Sequence, residues 1–91
     1  MDFQWDKNKA DTNQHKHGVT FDEAATVFGD YLSMTFPDKD HSISEERYLI
    51  IGKSYQNQIL VISHVYRNES IRIISARQAT KRERQFYESN R

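Results

Sequence analysis

Between residues 47 and 77 the chain contains three strand-length runs, RYLIIGKS, QILVISHVYR and IRIISAR, separated only by YQN and NES. β-Branched and aromatic residues dominate the runs, as a pleated, half-buried surface requires. Links this short cannot carry a crossover to a parallel neighbour, so the runs must pair as antiparallel hairpins in a meander. Everything else in the chain has to be arranged around that sheet.

The flanking segments supply the other elements. FQW, residues 3–5, alternates as a short strand does. Asp6 is placed to cap a helix over KNKADTNQHKH, which Gly18 ends in the left-handed C′ position. This helix is polar, with Lys9, Asn13, Lys16 and His17 on one face, and it has few apolar anchors beyond Ala10, Trp5 and Val19. Thr20 and Glu23 form a T-x-x-E capping box for a second helix through Ala24, Val27 and Phe28 to Gly29. DYLSMTFPD reads as an edge strand closed by Pro37, and DKDHSISEE as a polar loop. A second T-x-x-E box at Thr80 and Glu83 starts a terminal helix over residues 81–89. Two helices followed by antiparallel strands and a third helix define an α+β fold. The expected arrangement is two N-terminal helices, a four-stranded antiparallel meander plus a short N-terminal strand, and a C-terminal helix, with helices packed on one face. At 91 residues this is expected to be one domain, 1–91.

No apolar run approaches the ~18 residues that span a bilayer, the N-terminus has no signal or lipidation layout, and there is no cysteine. A cytoplasmic protein without disulfides fits these features. His15, Lys16 and His17 lack a partner at ligand spacing, so no metal site and no cofactor are expected.

The chain is neutral overall, but its charge is unevenly distributed. Residues 22–46 hold one Lys/Arg against seven Asp/Glu, while residues 67–91 hold seven against three. The cations crowd at the end of the last strand and the head of the last helix: Arg72, Arg77, Lys81, Arg82 and Arg84. Positive charge is disfavoured at a helix N-terminus, which points to an anionic ligand or partner, although a solvated helix surface explains it equally well.

Strand alternation puts Ile71, Ile73, Ser75 and Arg77 on one face of the last strand and Arg72, Ile74 and Ala76 on the other. In the preceding strand His64 and Tyr66 share a face opposite Val65 and Arg67. These groups suit RNA cleavage without a metal. A base takes the ribose 2′-OH proton, an acid protonates the departing 5′-oxygen, and cations stabilise the charge gathering on phosphorus. Histidine titrates near neutrality, arginine matches phosphate oxygens with a planar fork, and tyrosine stacks on an unpaired base. The plainer readings are a packed His64, an Arg72 paired to Glu46 or Glu69, and Phe86 and Tyr87 in the core.

Two long stretches resemble the BrnT toxins, ribonuclease components of bacterial type II toxin–antitoxin systems. FQWDKNKADTNQHKHGVTFDEAATVFGD fits F-x-W-D, a spaced K and N, then K-H-G-V-x-F-x-E-A. RIISARQATKRERQFYE fits R-I-I-S-A-R-x-A-T-x-x-E-R-x-x-Y. The resemblance implies a RelE-like fold, metal-independent RNA cleavage, and neutralisation by a BrnA-type antitoxin that carries a DNA-binding domain, the complex acting on operator DNA. It implies Lys16, His17, Arg72 and Arg77 as active-site positions, with Arg67 at the end of the preceding strand. His64 matches one family version of that region, whereas Val65 replaces a hydroxylated residue. Tyr66, Lys81, Arg82, Arg84 and Tyr87 are the candidate RNA contacts. The alternative is a non-catalytic module that blocks translation by occupying RNA or protein. The acidic residues 22–46 are expected to face solvent or contribute to antitoxin recognition.

Overall fold

The computed structural model describes residues 1–90. Along the chain run β1 (Asp2–Gln4), α1 (Lys7–His17), α2 (Phe21–Thr26), β2 (Met34–Pro37), β3 (Tyr48–Lys53), β4 (Ile59–Arg67), β5 (Ser70–Gln78) and α3 (Lys81–Ser89). Short 3-10 turns follow α2 at Val27–Gly29 and β2 at Lys39–His41. The five strands form one sheet in the order β1-β5-β4-β3-β2. As the short links require, β2 to β5 make an antiparallel meander. β1 adds in parallel at the outer edge, beside the first residues of β5.

Local chemistry accounts for the boundaries. The Asp6 carboxylate accepts from the Lys9 amide, and Gly18 closes α1 at φ 70°. Asn57 and Asn68 take positive φ in the two hairpin links, where asparagine tolerates the left-handed region. The box opening α3 is complete: Thr80 accepts from the Glu83 amide, and the Glu83 side chain accepts from the Thr80 amide. The box expected at α2 is only half made. Thr20 accepts from the Glu23 amide at 3.1 Å, but the buried Glu23 carboxylate turns away to accept from Ser54 Oγ and Gln58 Nε2. It ties the helix to the β3–β4 link instead.

The strand expected over DYLSMTFPD is confined to Met34–Pro37. Asp30 diverts the residues before it, because its carboxylate accepts from the Leu32 amide, the Lys53 amide and the Tyr87 hydroxyl. Burial pushes this carboxyl's pKa up, yet those donors outweigh the effect and leave it below its usual value.

Helices cover both faces of the sheet, contrary to the one-face expectation. On one side Ile50, Leu60, Ile62, Ile73 and Ala76 pack with Val19, Phe21, Ala24 and Val27. On the other, Ile51, Ile59 and Val61 pack with Tyr87 of α3. Residues of both parities in the middle of β3 and β4 are apolar, so neither face of those strands can be left to solvent.

α1 closes the sheet edge that β1 leaves open. The buried Asn13 side chain donates to the Ala76 carbonyl at 2.8 Å and accepts from the Ala76 amide at 3.0 Å. It also donates to the Val19 carbonyl at 3.0 Å. One amide thus replaces a strand residue on β5 and anchors the helix there.

Candidate active site

A β-bulge aligns the arginines. Ser63 pairs with Ser75 and His64 with Ile73, so Ile74 is an extra residue in β5. The insertion reverses strand parity from that point. Ala76, rather than Ser75, joins Ile73 in the core. Arg77 lies opposite Val61, and Arg72 opposite Val65. Directly paired residues point the same way, so Arg72 and Arg77 share one sheet face with Arg67. Simple alternation had put Arg77 with Ile71 and Ile73, and the bulge corrects that expectation. α3 packs on this same face.

Two of the three guanidinium groups are held by carboxylates in parallel two-bond pairs. Arg67 donates to both oxygens of Glu45, at 3.0 and 2.7 Å. Arg77 donates to both oxygens of Glu83, at 2.7 and 2.9 Å. The Arg67 fork keeps the Glu45 carboxyl below its usual pKa. The Arg77 fork lowers Glu83 more strongly, to about 2, and each arginine is raised in return. Arg72 instead donates to the neutral Gln4 amide oxygen at 3.1 Å. It pairs with neither Glu46, which accepts from the Tyr48 hydroxyl, nor Glu69.

Arg67 and Arg72 line one groove of about 410 Å³ together with Lys9, His41, Glu45, Arg47 and Val65. A second groove of about 310 Å³ runs along α1 past Asn8, Lys9, Lys16, His17 and Ser75. Lys9 and Ile74 border both, so the two grooves adjoin. Lys16 and His17 are therefore brought near the arginine face by α1, with His17 half-buried. Strand and helix periodicity did not single out Lys9, Arg47, Glu45 or Glu83 as site residues. Glu83 carried a signal, being both the capping-box residue and six positions from Arg77.

Other expected residues are not brought to this groove. His64 is fully buried on the opposite face of the sheet, its ring at 4.9 Å from Phe28 and 5.3 Å from Tyr66. Its Nδ1 donates to the Ile62 carbonyl at 3.2 Å, and Nε2 has no partner among the described residues. Burial lowers its pKa, so the ring stays neutral. The fold thus separates His64 from the arginines, because its parity follows Ile62. Tyr66 shares that face and is half exposed. Tyr87 is 2% exposed and belongs to the core beneath α3, which removes it as a stacking surface. Lys81, Arg82 and Arg84 are exposed on α3, none with an ion-pair partner among the described residues.

Among the described residues no group of three His, Asp or Glu side chains is placed to hold a metal ion. No helix of the described residues is long and apolar enough to cross a membrane.

Fold and groove together define a small α+β protein with an arginine-lined groove on one face of its sheet. Residues 5–83 match the model of a family described as the ribonuclease toxin BrnT of type II toxin–antitoxin systems, and the chain belongs to that family. The fold is similar to the crystal structure of the Brucella abortus ribonuclease toxin BrnT, with a TM-score of 0.68 and 25% sequence identity, over 89% of this chain and 99% of that one. A search of curated proteins found no match.

Proposed function

We propose that this protein is a metal-independent endoribonuclease toxin that cleaves single-stranded RNA by attack of the ribose 2′-oxygen on the adjacent phosphorus. The P–O5′ bond breaks, a base on the protein accepts the 2′-OH proton, and the departing 5′-oxygen takes up a proton. Arg67 and Arg72 stabilise the charge that builds on the non-bridging oxygens, and Arg77 acts from the same sheet face. Lys16 and His17 are the residues proposed to move protons, since they border the adjoining groove. Lys81, Arg82 and Arg84 are assigned to RNA beyond the scissile phosphate. The observation that carries the reading is the bulge at Ile74, which gives three arginines from two strands a common face.

Membership of a toxin–antitoxin family supports an antitoxin as protein partner. We assign it to the BrnA type, forming a hetero-oligomer that binds operator DNA. The test is to incubate the purified protein with RNA in EDTA and to compare growth on induced expression of the wild type and Arg77→Ala. Fragments ending in 2′,3′-cyclic phosphate, and growth arrest lost in the variant, are expected. Full-length RNA surviving a molar excess of protein, with growth still arrested, would replace cleavage by blockade through occupancy.

A further inference from the structure

The acidic segment 22–46 has an assignable role. Most of its carboxylates that bond elsewhere serve the scaffold: Glu23 holds the β3–β4 link, Asp30 the Tyr87 hydroxyl, and Asp38 pairs with His41 in its own turn. Glu45 differs, because it reaches across to β4 and accepts from Nε and Nη2 of Arg67 inside the groove. Four cations border that groove, Lys9, Arg47, Arg67 and Arg72, against the single carboxylate of Glu45. A carboxylate and a phosphate present the same pair of acceptor oxygens to a guanidinium fork.

We propose that Glu45 is an internal stand-in for the substrate: the groove binds one backbone phosphate of single-stranded RNA through Lys9, Arg47, Arg67 and Arg72, and that phosphate displaces Glu45 from Arg67. The inference rests on the nuclease reading and adds two phosphate ligands, Lys9 and Arg47, together with a built-in competitor. The competition is designed to be mild. Both partners of the pair are more than two-fifths exposed, and exposed pairs are weak and salt-sensitive. An RNA backbone, with one negative charge on each phosphodiester, meets four cations in the groove and overcomes such a contact.

The probe is a 2′-deoxy oligonucleotide, which binds but cannot be cleaved, measured by fluorescence anisotropy at low and moderate salt. Glu45→Gln should tighten binding by about two- to fivefold and steepen the salt dependence, because one more phosphate contact is gained at full strength. In an Arg67→Ala background the same substitution should have no effect. Lys9→Ala and Arg47→Ala should each weaken binding by severalfold and flatten the salt slope. Unchanged or weaker binding by Glu45→Gln overturns the proposal. So does loss of RNA cleavage with unchanged binding, which would make Glu45 the proton acceptor. Tightening seen for a glutamate-rich peptide but not for the oligonucleotide also overturns it, reassigning the groove to a protein partner. If the wild type binds the deoxy oligonucleotide but leaves the matching ribo-oligonucleotide uncut, the nuclease reading itself fails. If Arg72→Ala weakens binding while Glu45→Gln does nothing, only the stand-in role fails.

Discussion

Replacing Asn13 by alanine should be among the most damaging single changes to this fold, although the residue sits in a helix whose sequence looks like solvent-facing surface. Its amide makes three hydrogen bonds to backbone groups of Val19 and Ala76, at 2.8 to 3.0 Å, and it is 5% exposed. Alanine removes every partner at once and leaves one buried N–H and two buried carbonyls unpaired. At roughly 1 kcal/mol or more for each orphaned group, the loss comes to about 3–4 kcal/mol. That is a large share of the 5–15 kcal/mol typical of a domain. With a urea m-value of about 1–1.5 kcal/mol per molar for a chain of this size, the midpoint should fall by about 2–4 M. Asn13→Asp should be at least as harmful near neutrality, since it keeps the acceptor but aims a carboxylate at two carbonyl oxygens. The two variants should also loosen α1, which would appear as faster amide exchange in Lys7–His17. A drop below about 1 kcal/mol for Asn13→Ala would refute the reasoning, because it would mean that water replaces the amide without penalty.

Other consequences are independent of that one. His64 is buried neutral with a lowered pKa, so its contribution is complete above an unfolded value near 6.5 and lost as pH falls below it. Stability should therefore decline as pH falls below that value, and chemical denaturation across pH 5–8 should show this slope in the wild type but not in His64→Phe. Glu83, with a folded pKa of about 2, contributes above pH 4.5 and loses that contribution between there and about 2. Discounting for the exposure of the pair, Glu83→Gln should cost about 1 kcal/mol at pH 7 and little at pH 2, read from thermal unfolding. Gly52→Ala should destabilise by about 1–3 kcal/mol, because the added methyl would lie 2.9 Å from both Ser33 Cβ and Val27 Cγ1; a neutral result in urea unfolding would show that the 3-10 turn yields freely.

Much of this molecule is legible in the chain itself, because its local signals agree with one another. Short links dictate the meander, Asp6 and Gly18 bracket α1, and the Thr80–Glu83 box starts α3 where it is found. The illegible parts depend on contacts remote in sequence. No glycine marks the bulge at Ile74; it arises from the register of β4 against β5, and with it the true face of Arg77 was hidden. Asn13 looks polar and solvent-facing until Ala76, sixty-three residues away, is known to be its partner. The apolar residues of both parities in β3 and β4 were not read as a sheet covered on two sides, and the one-face expectation failed because α3 covers the second face. His64 had the right chemistry for catalysis, but its parity with Ile62 assigns it to the core. The acidic segment could not be interpreted until its carboxylates had found their partners.

The account stands or falls on whether Arg67 and Arg72 act on the same phosphodiester. A double-mutant cycle on single-turnover RNA cleavage tests this directly, using Arg67→Ala, Arg72→Ala and the double variant at saturating enzyme. Each single change should slow cleavage by about a hundredfold, and the double variant should be far faster than the product of the two losses, because groups acting on one transition state are strongly coupled. Losses that simply multiply would place the two guanidinium groups on separate phosphates, and a wild-type rate in either single variant would remove that arginine from the reaction.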